Sequence, residues 1–308
     1  MIAQTFAWGI FALIVIGLLT LDLGVLNKKD EVMSFKKSMY ISFLYITISC
    51  LFGLFVFYEF GSDSASEYYT GFLLEKTMSL DNIFMISMIF TFFRIPLQYQ
   101  HRVLFWGILG VIILRAVMIY AGAALLQQFA WILFIFAAVL VLTGFKTLYM
   151  IDKPAKNIKD IFMYRWFSGH LNLHPELVDN KFAIRKDGKL FFTPLFMALV
   201  TIESMDLIFA IDSIPAIFAV TQNPFIVYSS NIFAILGLRA LFFCLTDIIE
   251  RFKYIKYSLG IILILIGIKI FVAHFVQIPK LVPLLITIIL ILVGILISII
   301  KEKKESTT

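Results

Sequence analysis

The chain predicts an all-α polytopic membrane protein of about nine transmembrane helices, and three observations carry that expectation. Of its 308 residues 61% are hydrophobic, only 15% are charged, and the mean hydropathy is +0.96, all far from the values of a soluble domain of this size. Apolar runs then recur at 3–26, 39–60, 70–93, 102–126, 129–150, 191–221, 226–249, 255–277 and 281–300. Crossing the hydrocarbon of a bilayer takes about 20 helical residues, so each run is read as one span of a single membrane domain over 1–308. The first run has no basic residue before Lys28, unlike a cleaved signal peptide, and is read as a permanent span.

Basic residues fix the orientation. Lys28, Lys29, Lys36 and Lys37 follow the first run, Arg94 and Arg102 the third, and Lys153 through Lys189 the fifth. Arg251, Lys253 and Lys256 follow the seventh, and the tail is KEKKESTT. Alternate connectors such as 59-EFGSDSASEYY-69 and 221-TQNPF-225 lack that excess. Retained cytoplasmic loops carry the Lys/Arg surplus, so the N-terminus is expected outside and the C-terminus inside. The net charge of +6 follows from this topology, and no nucleic acid partner is expected.

Two blocks share an order of signals. The first reads 75-EKTMSLDN-82, 114-LRA-116, 142-LTGFK-146, and the second 206-DLIFAIDS-213, 238-LRA-240, 265-LIGIK-269. Each carries two carboxylates six positions apart, Glu75/Asp81 and Asp206/Asp212, with Asn82 or Ser213 after the second. The blocks cover spans 3–5 (70–150) and spans 6–8 (191–277), and an odd number of spans inverts the second copy. Inverted repeats mark secondary transporters, whose substrate sits near the midplane where the halves meet. The run 281–300 is then an additional C-terminal span.

A carboxylate at the bilayer centre costs at least about 2.5–3.5 kcal/mol. Asp22, Glu75, Asp81, Glu203, Asp206 and Asp212 all lie in or near spans, against Arg115 and Arg239 as intramembrane cations. Negative charge is left over, and a bound cation or protons must neutralise it. At about 100° per residue a straight helix puts the second carboxylate of each pair roughly 120° from the first. Pro215, three residues after Asp212, removes a backbone donor, so span six is expected to break there and bring both acids to one ion. Carboxylate, amide and hydroxyl oxygens suit Mg, Ca or Mn, and no His or Cys accompanies the acids. The expected metal ligands are Asp81, Asn82, Asp212 and Ser213. Glu75 and Asp206 belong to the same metal site or to a proton-exchange group behind it, and Glu203, Asp22, Arg115 and Arg239 support or couple it.

The segment 152–190 is expected to be a cytoplasmic loop and a place for a protein partner, with 158-IKDIFMYRWF-167 as an amphipathic helix at the headgroup layer. No HExxH, GxSxG or P-loop is present, so an enzyme is not expected.

The strings EKTMSLDN, 100-QHRVLFWGILG-110, 206-DLIFAIDSIPAIFAVTQNPFIVYSSNIFAILGLRAL-241 and the early LDLGVL resemble the TerC family of integral membrane proteins, named for an association with tellurium resistance. The resemblance implies kinship with manganese exporters of the LysE-type transporter group, a place in the bacterial inner membrane, and links to metal loading of exported enzymes. The family's intramembrane acids fall on Glu75, Asp81, Asp206 and Asp212. Tellurite is an oxyanion that surplus carboxylates would repel, so a resistance phenotype would arise indirectly. The leading expectation is an exporter of a divalent cation, most of all Mn²⁺, with no permanently bound cofactor. Its rivals are an exporter of a cationic small molecule and a non-transporting assembly or metallation factor.

Overall fold

The computed structural model describes residues 2–21, 35–129, 131–150, 162–186, 188–245, 255–272, 279 and 281–305. Among them the helices are α1 (Ile2–Leu21), α2 (Phe35–Phe92), α3 (Leu97–Gln128), α4 (Ile132–Met150), α5 (Phe162–His170), α6 (Pro194–Val220), α7 (Pro224–Leu236), α8 (Leu238–Leu245), α9 (Ile255–Val272) and α10 (Leu281–Glu305). One antiparallel hairpin, β1 (Ala183–Lys186) with β2 (Lys189–Phe192), lies in the long connector and pairs Ala183 with Phe192. The protein is an all-α polytopic membrane protein: seven helices among the described residues are long and apolar enough to cross a bilayer.

Those seven do not map one to one onto the nine apolar runs. Helix α2 holds two of them and turns at Gly61, where φ 86° and ψ 176° suit a residue without Cβ. The chain folds back there, because Tyr68 Oη donates to Ser49 O at 3.0 Å and Tyr69 Oη to Cys50 O at 2.7 Å. Along a straight helix those residues would stand about 28 Å apart. The apolar stretch of α1, Thr5–Leu21, is shorter than the seven. Helices α7 and α8 together form the apolar stretch Pro224–Cys244, divided at Gly237.

The stretch Pro224–Cys244, α7 with α8, is the most deeply buried of the spanning segments among the described residues, 89% of its apolar window being buried. Helix α7 starts it. Asn223 caps it by accepting from Phe225 N at 3.1 Å, and Pro224 supplies the preset φ of a first helical position. Phe225 and Phe233 pack edge-on or tilted against Phe11 of α1 and Phe52 of α2, which fixes the outer layer of the core. Ser229, Ser230 and Asn231 are fully buried in the same helix, small enough to let neighbouring backbones close in. Gly71 of α2 uses that space, lying against Ser230 and Ile217.

The break expected near Pro215 is absent, for α6 runs unbroken from Pro194 to Val220 with Pro215 inside it. A proline withdraws one hydrogen bond, here the one to Ile211 O. The turn beyond keeps its own, including Thr221 N to Ile217 O at 3.0 Å, and Pro215 is buried among neighbouring helices. Losing one donor near a helix end is not enough to sever it.

Candidate functional site

Four elements meet around one side chain. Arg115 of α3 is 1% exposed and reaches Glu75 of the second arm of α2, Asp206 and Ser213 of α6, and Asn231 of α7. Its guanidinium stands 2.8 Å from Glu75 Oε1 and grips Asp206 with two parallel bonds, Nε to Oδ2 at 3.2 Å and a terminal nitrogen to Oδ1 at 3.1 Å. The planar fork of an arginine matches a carboxylate in that two-pronged way, which a lysine does not. Asn231 closes the ring, accepting from Arg115 at 3.1 Å and donating to Glu75 Oε2 at 3.0 Å. Asn82 adds a long bond to Asp206 Oδ1 at 3.4 Å. This knot ties two carboxylates with one cation.

Beside it lies a cavity of about 120 Å³ lined by Asp81, Asn82, Thr143, Thr147, Asp212 and Ser213 among others, with Glu75 and Arg115 in its wall. Asp212 accepts from Thr143 Oγ1 at 2.8 Å and pairs with no cation among the described residues. Asp81 Oδ1 stands 2.8 Å from Lys256 Nζ of α9, an electrostatic contact without hydrogen-bond alignment. That ammonium also lies 5.3 Å from the centre of the Phe84 ring, and the two side chains of the pair are 40% and 29% exposed. Lys76, next to Glu75 in sequence, turns away to donate to Ala234 O at the end of α7. The chamber region therefore gathers four carboxylates, Glu75, Asp81, Asp206 and Asp212, against Arg115 and Lys256.

The remaining sequence candidates sit elsewhere. Glu203 rests against α3 with both carboxyl oxygens buried and unpartnered. Arg239 is 2% exposed and meets His101 Nε2 at 2.8 Å near the start of α3. Asp22 lies outside the described residues. Among the described residues no three His, Cys, Asp or Glu side chains converge as a ready metal cage.

Sequence reasoning passed over Thr143, Thr147, Asn231 and Lys256. A buried Asn within an apolar run was a visible signal for Asn231, and Thr143 stands inside the LTGFK motif of the first block. Lys256 gave none, being one of several basic residues in its connector.

The profile of the integral membrane protein TerC family matches residues 60–306. A Rickettsia bellii protein described as an uncharacterized membrane protein is 57% identical over 96% of this chain and 98% of its own length. A Salmonella typhi protein named "Putative membrane-bound redox modulator Alx" is 43% identical over 88% of this chain and 87% of its own. No solved structure matches the chain. By sequence over most of its length, the chain belongs to the TerC family of integral membrane proteins.

Proposed function

We propose that the protein is a secondary transporter that exports a divalent metal cation, Mn²⁺ foremost, from the cytoplasm across the bacterial inner membrane. The cation binds in the chamber between Asp81 and Asp212, with Asn82, Ser213 and Thr143 offering neutral oxygens. The observation that carries this reading is the charge balance of the chamber together with the ion pairs around it: Glu75, Asp81, Asp206 and Asp212 against Arg115 and Lys256 leave a surplus equal to the charge of one divalent ion. An all-oxygen ligand set favours hard cations of the Mg, Ca and Mn kind. About 120 Å³ suits a partly hydrated ion. Organic ligands occupy pockets of roughly 300 Å³ or more, which weighs against a cationic small molecule.

Packing between α4 and α9 supports the inverted repeat. A Cβ on Gly144 would stand 2.6 Å from Gly260 O and from the Ile264 side chain, and one on Gly267 would stand 2.7 Å from Ala137 O and from the Val141 side chain. Adding 123 to Gly144, Ala137 and Val141 gives Gly267, Gly260 and Ile264, so the contacts are reciprocal. Reciprocal contacts are what a two-fold axis between the two helices produces. A substrate site at the seam of the halves fits such an axis. The redox name of the Salmonella relative finds no obvious thiol relay here, since Cys50 and Cys244 are both free and neither lines the chamber.

Cellular manganese tests the proposal. Cells expressing the wild type are expected to hold less manganese under a manganese load than cells with empty vector, and cells expressing Asp212→Asn to match the vector. Equal depletion by wild type and Asp212→Asn removes the chamber from the mechanism.

A further inference from the structure

Glu203 is an intramembrane carboxylate that neither the Arg115 knot nor the chamber uses. Both its oxygens are buried, and neither has a hydrogen-bond or ion-pair partner among the described residues. The place is built for it. Gly107 and Gly110 lie one turn apart on the face of α3 that the carboxyl touches, and a Cβ on Gly110 would fall 2.6 Å from Glu203 Cδ. Any side chain at 110 would collide with the acid, while Gly107 leaves 3.5 Å to Oε1.

The charged groups around it offer no neutralisation. On its own helix stands Asp206, three residues on and of the same sign, whose negative charge is engaged by Arg115. From α3 come the two glycines, with the Arg115 guanidinium shared between Glu75 and Asp206. From α2 comes Asn82, which donates to Asp206. An ionised carboxylate left unpaired in such surroundings is strongly unfavourable, and a proton removes the cost.

A second, smaller cavity of about 30 Å³ lies beside this cradle, lined by Gly107, Ile202 and Asp206 among others, and shares Asn82 and Phe209 with the ion chamber. It has room for one or two waters.

We propose that Glu203 is the proton-carrying group of the transporter, cradled by Gly107 and Gly110, and moves one proton inward for each cation that leaves. This rests on the exporter reading. The carboxyl O–H forms with a proton from water on the outer side and breaks to water on the cytoplasmic side, with no change in oxidation state.

The test uses the full-length chain in liposomes with Mn²⁺ as the cation and a pH dye inside. In the wild type a Mn²⁺ gradient is expected to drive proton flux, and infrared spectra at neutral pH to show the carbonyl band of a protonated carboxylic acid. Glu203→Gln, which keeps the shape, is expected to lose both signals while Mn²⁺ still stabilises the protein against heat. Glu203→Asp is expected to restore part of the proton flux, and Gly110→Ala to weaken it by crowding the acid. Mn²⁺-driven proton flux that persists in Glu203→Gln, or an acid band that this variant leaves untouched, overturns the proposal while exporter activity stands. A wild type that moves no Mn²⁺ but keeps the Glu203 band sinks the exporter reading, and the coupling role with it.

Discussion

Glu75 and Asp206 hold corresponding places in the two blocks, and so do Asp81 and Asp212, yet the two sets live differently. The first set is nearly inaccessible and bound by Arg115 and Asn231 into a closed network. The second faces the chamber, one acid beside a half-exposed lysine and the other beside a threonine hydroxyl. Six residues along an unbroken helix rotate a side chain by roughly 120°, so the same spacing that presents one acid to the arginine turns the other toward open space. The lesson is that a pair of carboxylates close in sequence is not one site: one member is bound into the buried network with Arg115 and the other faces the chamber.

Removing Arg115 breaks this division most severely. Arg115→Met leaves Glu75 and Asp206 as buried charges without their cation, a loss of about 3–5 kcal/mol for such networks. Unfolding in detergent by denaturant is expected to show that drop. The triple variant Arg115→Met, Glu75→Gln, Asp206→Asn is expected to recover much of it, because buried ions replaced together cost less than one left alone. A single Arg115→Met with wild-type stability removes the fastening role.

Next in size comes the chamber itself. Asp212→Asn keeps the shape and the bond with Thr143 while taking one charge from the ion. Mn²⁺ affinity, read by isothermal titration of the purified protein, is expected to fall by at least about tenfold, which is 1.4 kcal/mol. Stability is expected to stay within about 1 kcal/mol of wild type, because Asp212 is not bound into the buried network. A large loss of stability with unchanged affinity would reverse the assignments of the two sets.

Much of this arrangement was legible beforehand, for physical reasons that can be named. Lipid forbids unpaired backbone, so apolar length alone points to helices. Acids inside apolar runs are expensive enough that Glu75, Asp81, Asp206 and Asp212 announced themselves. The helical angle between the two acids of each pair predicts that an unbroken helix parts them, and α6, which carries Asp206 and Asp212, is unbroken. The mistaken step was to add a break at Pro215 so that both acids might serve one ion. Partners supplied by distant helices stayed hidden: nothing in the run containing Asn231 says that it meets Arg115, more than 100 positions away. Local sequence sets the face a residue occupies, and packing decides what waits there.

Thr143 sharpens the comparison at a finer scale. It donates to Asp212 at 2.8 Å from α4, the helix that packs on α9, and so offsets part of the carboxylate's charge at the chamber. Thr143→Val is expected to cost about 0.5–1.5 kcal/mol of Mn²⁺ affinity, a few-fold weakening, if the hydroxyl holds Asp212 in place for the ion. Tighter binding in Thr143→Val would mean instead that the hydroxyl competes with the cation for the carboxylate.

Lys256 gives the smallest effect and the opposite sign. Its ammonium stands at Asp81 as a tethered counter-ion, and under the exporter proposal a divalent cation would have to displace it or share the carboxylate with it. Partly exposed pairs of this sort are worth about 0.2–1 kcal/mol, so Lys256→Gln is expected to tighten Mn²⁺ binding by roughly 1.5- to 5-fold. Raising the salt concentration is expected to shrink the difference between wild type and Lys256→Gln, because screening weakens the native pair first. The same titration that reads Asp212→Asn reads this variant. Weaker binding in Lys256→Gln would show that the lysine shapes the chamber, and the charge balance that assigns Asp81 to the cargo would then need Lys256 as a fixed part of the site.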